Sequence, residues 1–308
     1  MSCNCSNTET PDLRSQTEII IASVVNIAFS FCGTLGNLLV CIVITRNKEL
    51  HTVTNGFIFS LAVADLLVCM ISQPMYIGTF YGIQNYEYEV VRKTFTWISV
   101  LASVSNLWAV TVDRFVAISK PLKYTQTLTA RRMTLILVFI WVIAISFGVM
   151  ATFLTEAKTI VQLYIVLMIL CIIPIYIRVF CIARRHARII ASQNAQIKRR
   201  NLQYTKQEIS RARENIAART VGIVLVVFLV CWFPLITMPF IYRNLQSSRG
   251  QVVRAFTWVN TLALCSSAVN PIIYSWKTET FRKKMKSSLV LYTKSQFRLS
   301  VGSSSHDC

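Results

Sequence analysis

The chain has 308 residues, of which 54% are apolar and only 15% charged, whereas soluble domains run near 25% charged. That composition excludes an ordinary water-soluble globule and points to lipid as the solvent. The net charge of +19 would suit nucleic acid, but the basic residues flank apolar runs instead of forming one patch, which points to anionic membrane lipid and away from a nucleic-acid partner.

Seven apolar runs follow one another: 19–44, 57–81, 95–112, 133–154, 159–177, 220–242 and 255–276. Each is about the length a helix needs to cross roughly 30 Å of hydrocarbon, so the sequence predicts an all-α membrane protein, a seven-helix bundle. The polar stretch ahead of the first run has no basic leader, and the run is too long for a signal-peptide core, so it reads as a span. Seven crossings place 25 of the 32 Lys and Arg on one side and seven on the other. The positive-inside rule then puts the N-terminus outside and the tail in the cytosol of a multi-pass membrane protein. The expected organisation is an extracellular N-terminus at 1–18, a transmembrane domain at 19–276, and a cytosolic amphipathic helix and tail at 277–308.

Seven of the ten Cys lie in or at the ends of spans, where they act as small hydrophobes, and no expected extracellular loop holds one. Asn4-Cys5-Ser6 matches a glycosylation acceptor on the outer side. The loop after the fourth run, near 155–158, is almost absent. The polar, basic stretch 184–219 has few Gly or Pro, which predicts that the fifth and sixth helices continue into the cytosol. After Trp276, Phe281, Met285 and Leu289 recur at four-residue spacing against a basic face, the pattern of a helix lying on the inner membrane surface. The final "SVGSSSHDC" has the composition of a disordered tail.

Polar groups inside spans are costly and face protein or water. Asp65 is the only acid well inside a run. It is either a neutral acid bonded to neighbouring helices or, with Asn37, Ser103, Ser266 and Asn270 at similar depth, part of an oxygen-rich site for a hard cation. Pro234 and Pro271 each remove a helical hydrogen bond and predict kinks in the sixth and seventh helices. Thr96 and Arg114 are eighteen residues apart, five turns at 3.6 residues per turn, so Thr96, Val100, Ser103, Leu107 and Arg114 share one face. Glu214, twenty residues before Pro234, is placed to reach Arg114. His51, His186 and His306 lie in loops or tail, away from any credible nucleophile, so no enzyme is expected.

Several strings in this order resemble the rhodopsin-like G-protein-coupled receptors: Gly36-Asn37, "LAVAD" ending at Asp65, "DRFVAISKPLKY" from Asp113, Trp141, Pro174, "CWFP" from Cys231, "NPIIY" from Asn270, and Phe281-Arg282. The resemblance covers nearly the whole chain from Asn26 to Met285 and implies a receptor that binds an extracellular ligand and activates a heterotrimeric G protein. It further implies arrestin and receptor kinases as partners of the tail, and no cofactor apart from an allosteric sodium ion. Asp113 and Arg114 would form the cytoplasmic switch with Glu214, while Asn270, Pro271 and Tyr274 rearrange on activation. Asp65, Ser103, Ser266 and Asn270 would hold the sodium ion, and Trp232 would floor the ligand pocket.

The departures are specific. Phe115 replaces the usual Tyr after the Arg, and Glu89 stands where a disulfide-forming Cys tops the third helix. Ile182 stands where the fifth helix usually carries a Tyr that supports the active state. The short second extracellular loop without Cys is similar to that of the melanocortin receptors, although Pro174 departs from their pattern.

The pocket implied by the resemblance comprises Met75, Tyr76, Thr96, Trp97, Val100, Val166, Leu167, Leu170, Trp232, Leu235, Ile236, Phe256, Asn260 and Leu264, with Thr96 and Asn260 as polar anchors. Amine receptors of the family place an Asp at the Thr96 position, and its absence removes the charge-assisted bond to a protonated amine. Opsins need a Lys where Leu264 stands, so retinal is not expected. A neutral or weakly polar molecule fits best, with a peptide engaging Glu87 and Glu89 as the alternative. Rival readings are a receptor-like scaffold that does not signal, kept by Ile182 and the missing disulfide, and a transporter, which a single mid-span acid argues against.

Overall fold

The computed structural model describes residues 14–119, 124, 128–200, 220, 222–238, 241, 248–277 and 282, and among them every regular element is helical. Seven membrane helices follow in chain order: α1 Gln16–Arg46, α2 Val53–Tyr81, α3 Tyr86–Ser119, α4 Ala130–Phe153, α5 Thr155–Arg200, α6 Gly222–Met238 and α7 Arg249–Lys277. Six are long and apolar enough to cross a membrane, and α6 is a shorter apolar helix among the described residues. Each predicted span therefore has its helix. The stretch predicted as an amphipathic helix after Trp276 lies outside the described residues, apart from Lys277 and Arg282.

Local chemistry sets the boundaries. Ser15 opens α1 through a capping box with Glu18, satisfying backbone donors that the first helical turn leaves over. Thr52 and Thr129 cap α2 and α4 in the same sense. Only Leu154 separates α4 from α5, which matches the expected lack of a loop. Gly82, at φ 82°, takes the left-handed turn that lets the chain reverse after α2. Helix α5 continues to Arg200, because Ala, Arg, Gln and Lys are good helix formers even where the chain turns polar. Helix α3 likewise starts at Tyr86, well before its apolar run.

Helix α2 is not uniform. A π-turn spans Val68–Ser72, immediately before Gln73 and Pro74. Pro74 has no N–H for the Met70 carbonyl four residues back and its ring crowds that carbonyl, which a widened turn relieves. The turn rotates Gln73 into the bundle, where it is fully buried. Its Nε2 donates to Asn26 Oδ1 at 3.1 Å, and Asn26 Nδ2 donates to Thr261 Oγ1 at 2.9 Å. One polar chain thus ties α2, α1 and α7.

The third helix occupies the middle, touching α2, α4 and α5, while α1 packs on α2 and α7. Small residues permit these approaches, as expected where lipid offers no hydrophobic drive between helices. A Cβ at Gly148 would lie 2.6 Å from Ile98 Cγ1, and one at Gly33 would lie 2.9 Å from Ala268 Cβ. Polar ties add to the packing: Trp141 Nε1 donates to Ser60 Oγ at 3.0 Å, and Ser30 Oγ to the Cys69 carbonyl at 2.6 Å. Each such bond contributes about 1 kcal/mol net. All seven cysteines among the described residues are free thiols.

Candidate functional site

At the C-terminal end of α3, Asp113 and Arg114 are 1% and 5% exposed. Neighbouring side chains on a helix point in different directions, so the pair needs further partners to be held inside. Arg114 Nη2 donates to Asp113 Oδ2 at 2.7 Å and its Nε to the same oxygen at 3.0 Å. Thr54, from the first turn of α2, donates to Asp113 Oδ2 at 2.6 Å and also contacts the guanidinium. Tyr124, beyond α3, donates to Asp113 Oδ1 at 2.7 Å. Burial, and then the charge of Asp113, push the Tyr124 phenol up to about 12, so it remains a donor throughout the physiological range. Both carboxylate oxygens are satisfied, which offsets the desolvation a buried ion pair requires.

Thr54 and Tyr124 were not among the sequence-predicted site residues. Of the predicted ones, Glu214 lies outside the described residues, as do the Tyr274 side chain and Asn4. Ile182 packs in a small apolar cluster with Ile118, Val179 and Phe115. The fifth helix instead sends Tyr176 toward α6, where Gly222 leaves room for it: a Cβ at Gly222 would overlap the Tyr176 hydroxyl.

Toward the middle of the bundle, Asp65, Val100, Ser103, Leu107, Trp232, Ser266, Ser267 and Asn270 line one small cavity. The expected stripe on α3 therefore faces the interior. Asp65 is 1% exposed and accepts 2.7 Å from Asn270 Nδ2. Ser267, which sequence reasoning missed, also hydrogen-bonds Asp65. Ser266 Oγ donates to the Ala263 carbonyl at 2.6 Å and accepts from Trp232 Nε1 at 3.2 Å. Trp232 stacks on Phe228, with ring centroids 5.5 Å apart. Asn37 reaches the Ser267 carbonyl at 3.1 Å instead of Asp65. The buried Ser103 hydroxyl has no protein partner, and the cavity's free volume of about 10 Å³ is room for one water-sized body. An acid and hydroxyls around such a space fit a small hard cation.

At the Thr96 end of α3, Val100 is buried, and Met75, Tyr76, Thr96, Trp97, Leu235, Phe256 and Asn260 are half-buried. Tyr76 donates to the Thr257 carbonyl at 3.3 Å and packs edge-on against Phe80. The two proposed polar anchors are partly spent on their own helices: Thr96 Oγ1 donates to the Arg92 carbonyl at 2.7 Å, and Asn260 Nδ2 to the Phe256 carbonyl at 2.8 Å. The remaining members sit differently. Val166 and Ile236 line an apolar groove between α5 and α6. Leu167 and Leu170 are exposed on the outer surface of α5 and do not face the interior. Leu264 is buried within α7. At the top of α3, Glu89 is held by Arg92 at 2.8 Å and Lys93 at 3.0 Å. Tyr88 donates to the Met75 carbonyl at 2.7 Å, joining α3 to α2 where a disulfide is missing.

Seven apolar helices around a buried Asp-Arg pair and an Asp-centred cavity define a multi-pass membrane receptor. The family described as "7 transmembrane receptor (rhodopsin family)" matches residues 36–274, and the chain belongs to it. Melanocortin receptor 5 of Rattus norvegicus is 31% identical over 287 residues, 86% of this chain and 83% of its own. Histamine H2 receptor of Cavia porcellus is 30% identical over 294 residues, covering 85% and 77%. Dopamine receptor 1 of Drosophila melanogaster is 29% identical over 345 aligned positions, covering 92% and 65%. The chain is thus a G-protein-coupled receptor of the plasma membrane, in a family of signalling receptors and not of enzymes.

Proposed function

We propose that the chain faces outward with its N-terminus, binds a neutral or weakly polar ligand in the outer part of the bundle, and activates a heterotrimeric G protein at the Arg114 end. Asp113, Arg114, Thr54 and Tyr124 hold the resting state. Activation releases Arg114 to the partner as α6 pivots at Pro234 and α7 rearranges around Asn270, Pro271 and Tyr274. The single observation that carries this reading is the Asp113-Arg114 pair, buried and yet satisfied by groups from two other segments.

The ligand class rests on charge. Asp65, Asp113 and Arg114 are the only buried charged side chains among the described residues, and none lies beside Thr96 or Tyr76. The histamine and dopamine receptors in the comparison carry amine names, but Thr96 offers no counter-ion for an amine. Melanocortin, in the name of another relative, keeps a peptide as the second reading, supported by the Glu87 and Glu89 mouth. A sodium ion beside Asp65 and Ser103 would stabilise the resting cavity, and arrestin and receptor kinases would act on the tail.

The test is nucleotide exchange on a panel of purified G proteins by the receptor in nanodiscs, with nucleoside, lipid, indole and peptide pools. Ligand-stimulated exchange that Arg114→Ala abolishes is expected. Ligand binding with no exchange on any G protein would favour the non-signalling scaffold, and ion flux through vesicles would favour a transporter.

A further inference from the structure

The sixth apolar run, 220–242, contains one glycine, Gly222. Glycine weakens a helix relative to alanine, and Gly222 makes no left-handed turn, since Gly82 is the one glycine with positive φ among the described residues. What requires it is α5: a Cβ at Gly222 would overlap the Tyr176 hydroxyl together with Cζ and Cε2 of its ring. Between Tyr164 and Arg178, Tyr176 is the only residue with a hydroxyl, amide or charged side chain, and its hydroxyl lies against the backbone of α6. Beyond this point the helices meet through apolar side chains, with Ile172 of α5 and Val224, Leu225 and Phe228 of α6 buried in one cluster. On the other flank of α5, Ile175, Val179 and Ile182 pack with Phe115 and Ile118 of α3. Helix α5 is therefore fixed to α3 by apolar contact and keyed to α6 by a phenol.

We propose that Tyr176 is a positioning residue of the switch: its hydroxyl, seated in the Gly222 notch, latches the inner end of α6 against α5 in the resting receptor. The regulatory sense rests on the receptor reading above, in which α6 pivots at Pro234. Gly222 lies twelve residues before Pro234, a lever of about 18 Å at about 1.5 Å per residue. A bend of about 10° at the pivot carries the Gly222 end through about 3 Å on that lever, and contacts between packed atoms do not survive such a gap. The notch receives the phenol in one position of α6 only, so the contact is made in the closed arrangement and lost in the open one. An interaction present in one state alone shifts the population toward that state. Ile182, apolar and packed beside Phe115, offers no hydroxyl of its own, so the hydroxyl of α5 that acts on α6 is the one on Tyr176, and it favours rest.

The experiment uses the full chain in nanodiscs without ligand, with spin-labelled amino acids incorporated at Leu135 of α4 and Val226 of α6, both exposed. Distances between them are read by pulsed electron resonance, beside basal nucleotide exchange and the thermal midpoint. Tyr176→Phe removes the atom seated deepest in the notch, and Tyr176→Leu removes the ring as well. Each should move the distance distribution toward longer separations and raise basal exchange about fivefold, the factor that one ordinary contact contributes between two states. Ile177→Ala, the next residue of α5 but exposed, should change neither. A contact that only packs would lower the thermal midpoint of the Tyr176 variants and leave distances and exchange at parent values, and that result overturns the proposal. So does a shift toward shorter separations. The distances need no G protein, so longer separations in the Tyr176 variants with no exchange by any form would sink the receptor reading and leave the latch standing. Ligand-stimulated exchange in the parent, with distances that neither variant alters, would sink the latch alone.

Discussion

The Tyr124 hydroxyl reaches Asp113 Oδ1 at 2.7 Å, so the ion pair at the end of α3 is closed by a residue outside the helix. Tyr124→Phe removes the donor to Asp113 and the oxygen that Arg114 Nη2 meets at 3.4 Å, a loss of about 1.5 kcal/mol or more. Basal nucleotide exchange should rise several-fold with ligand affinity slightly increased. Unchanged basal exchange would mean that Tyr124 only packs against the pair.

Gly222→Ala places a methyl where the Tyr176 hydroxyl sits. Overpacking of this kind costs about 1–3 kcal/mol, and the expected result is a lower thermal midpoint together with altered basal exchange. Tyr176→Leu in the same chain should restore much of both, since the hydroxyl and the ring carbons Cζ and Cε2 all overlap the new methyl and are removed together. Failure of that rescue would place the defect elsewhere on α6.

Asp65→Asn tests the central cavity. In the parent, sodium chloride should raise the thermal midpoint relative to N-methylglucamine chloride, by an amount equivalent to about 2.7 kcal/mol at a hundredfold excess over the dissociation constant. The variant should lose the difference. Equal responses to both salts in the parent would leave Asp65 as a neutral acid bonded to Asn270 and Ser267.

Tyr88→Phe removes the donor to the Met75 carbonyl that links α3 to α2. A loss of about 1 kcal/mol in stability is expected, visible as a lower midpoint in detergent, with lower ligand affinity because Tyr76 follows Met75. Glu89→Gln alone should do less, since its ion pairs lie within one helix and are partly exposed.

The spans were legible because a membrane leaves a long apolar run with almost no other fold, and Asp65, Asp113 and Arg114 stood out because charge inside such a run is costly. What escaped reading was relational. Thr54 and Tyr124 are ordinary residues at a helix start and in a connection, and only the packing of α2 on α3 gives them a carboxylate to bind. Ser267 adjoins the predicted Ser266, but the two hydroxyls take different jobs, which depends on rotamer and not on sequence. Leu167 and Leu170 were assigned inward because α5 is apolar on every side, which leaves no periodicity to mark the buried face. The starting points of α3 and α5 were missed or shortened where helix formers extend past the apolar run.

The π-turn at Val68–Ser72 has a bearing on how this receptor is compared with its relatives. One extra residue per turn advances all that follows by about 100° around the helix axis. A relative whose second helix is regular would present, at the position matching Tyr76 by count from Asp65, a side chain aimed at a different neighbour. Ligand-contact tables transferred by residue number would then mislabel this wall of the cavity. Deleting one residue within 68–72 should unseat Gln73 from Asn26 and swing Tyr76 off Thr257, converting a silent change in register into a change in what the receptor recognises.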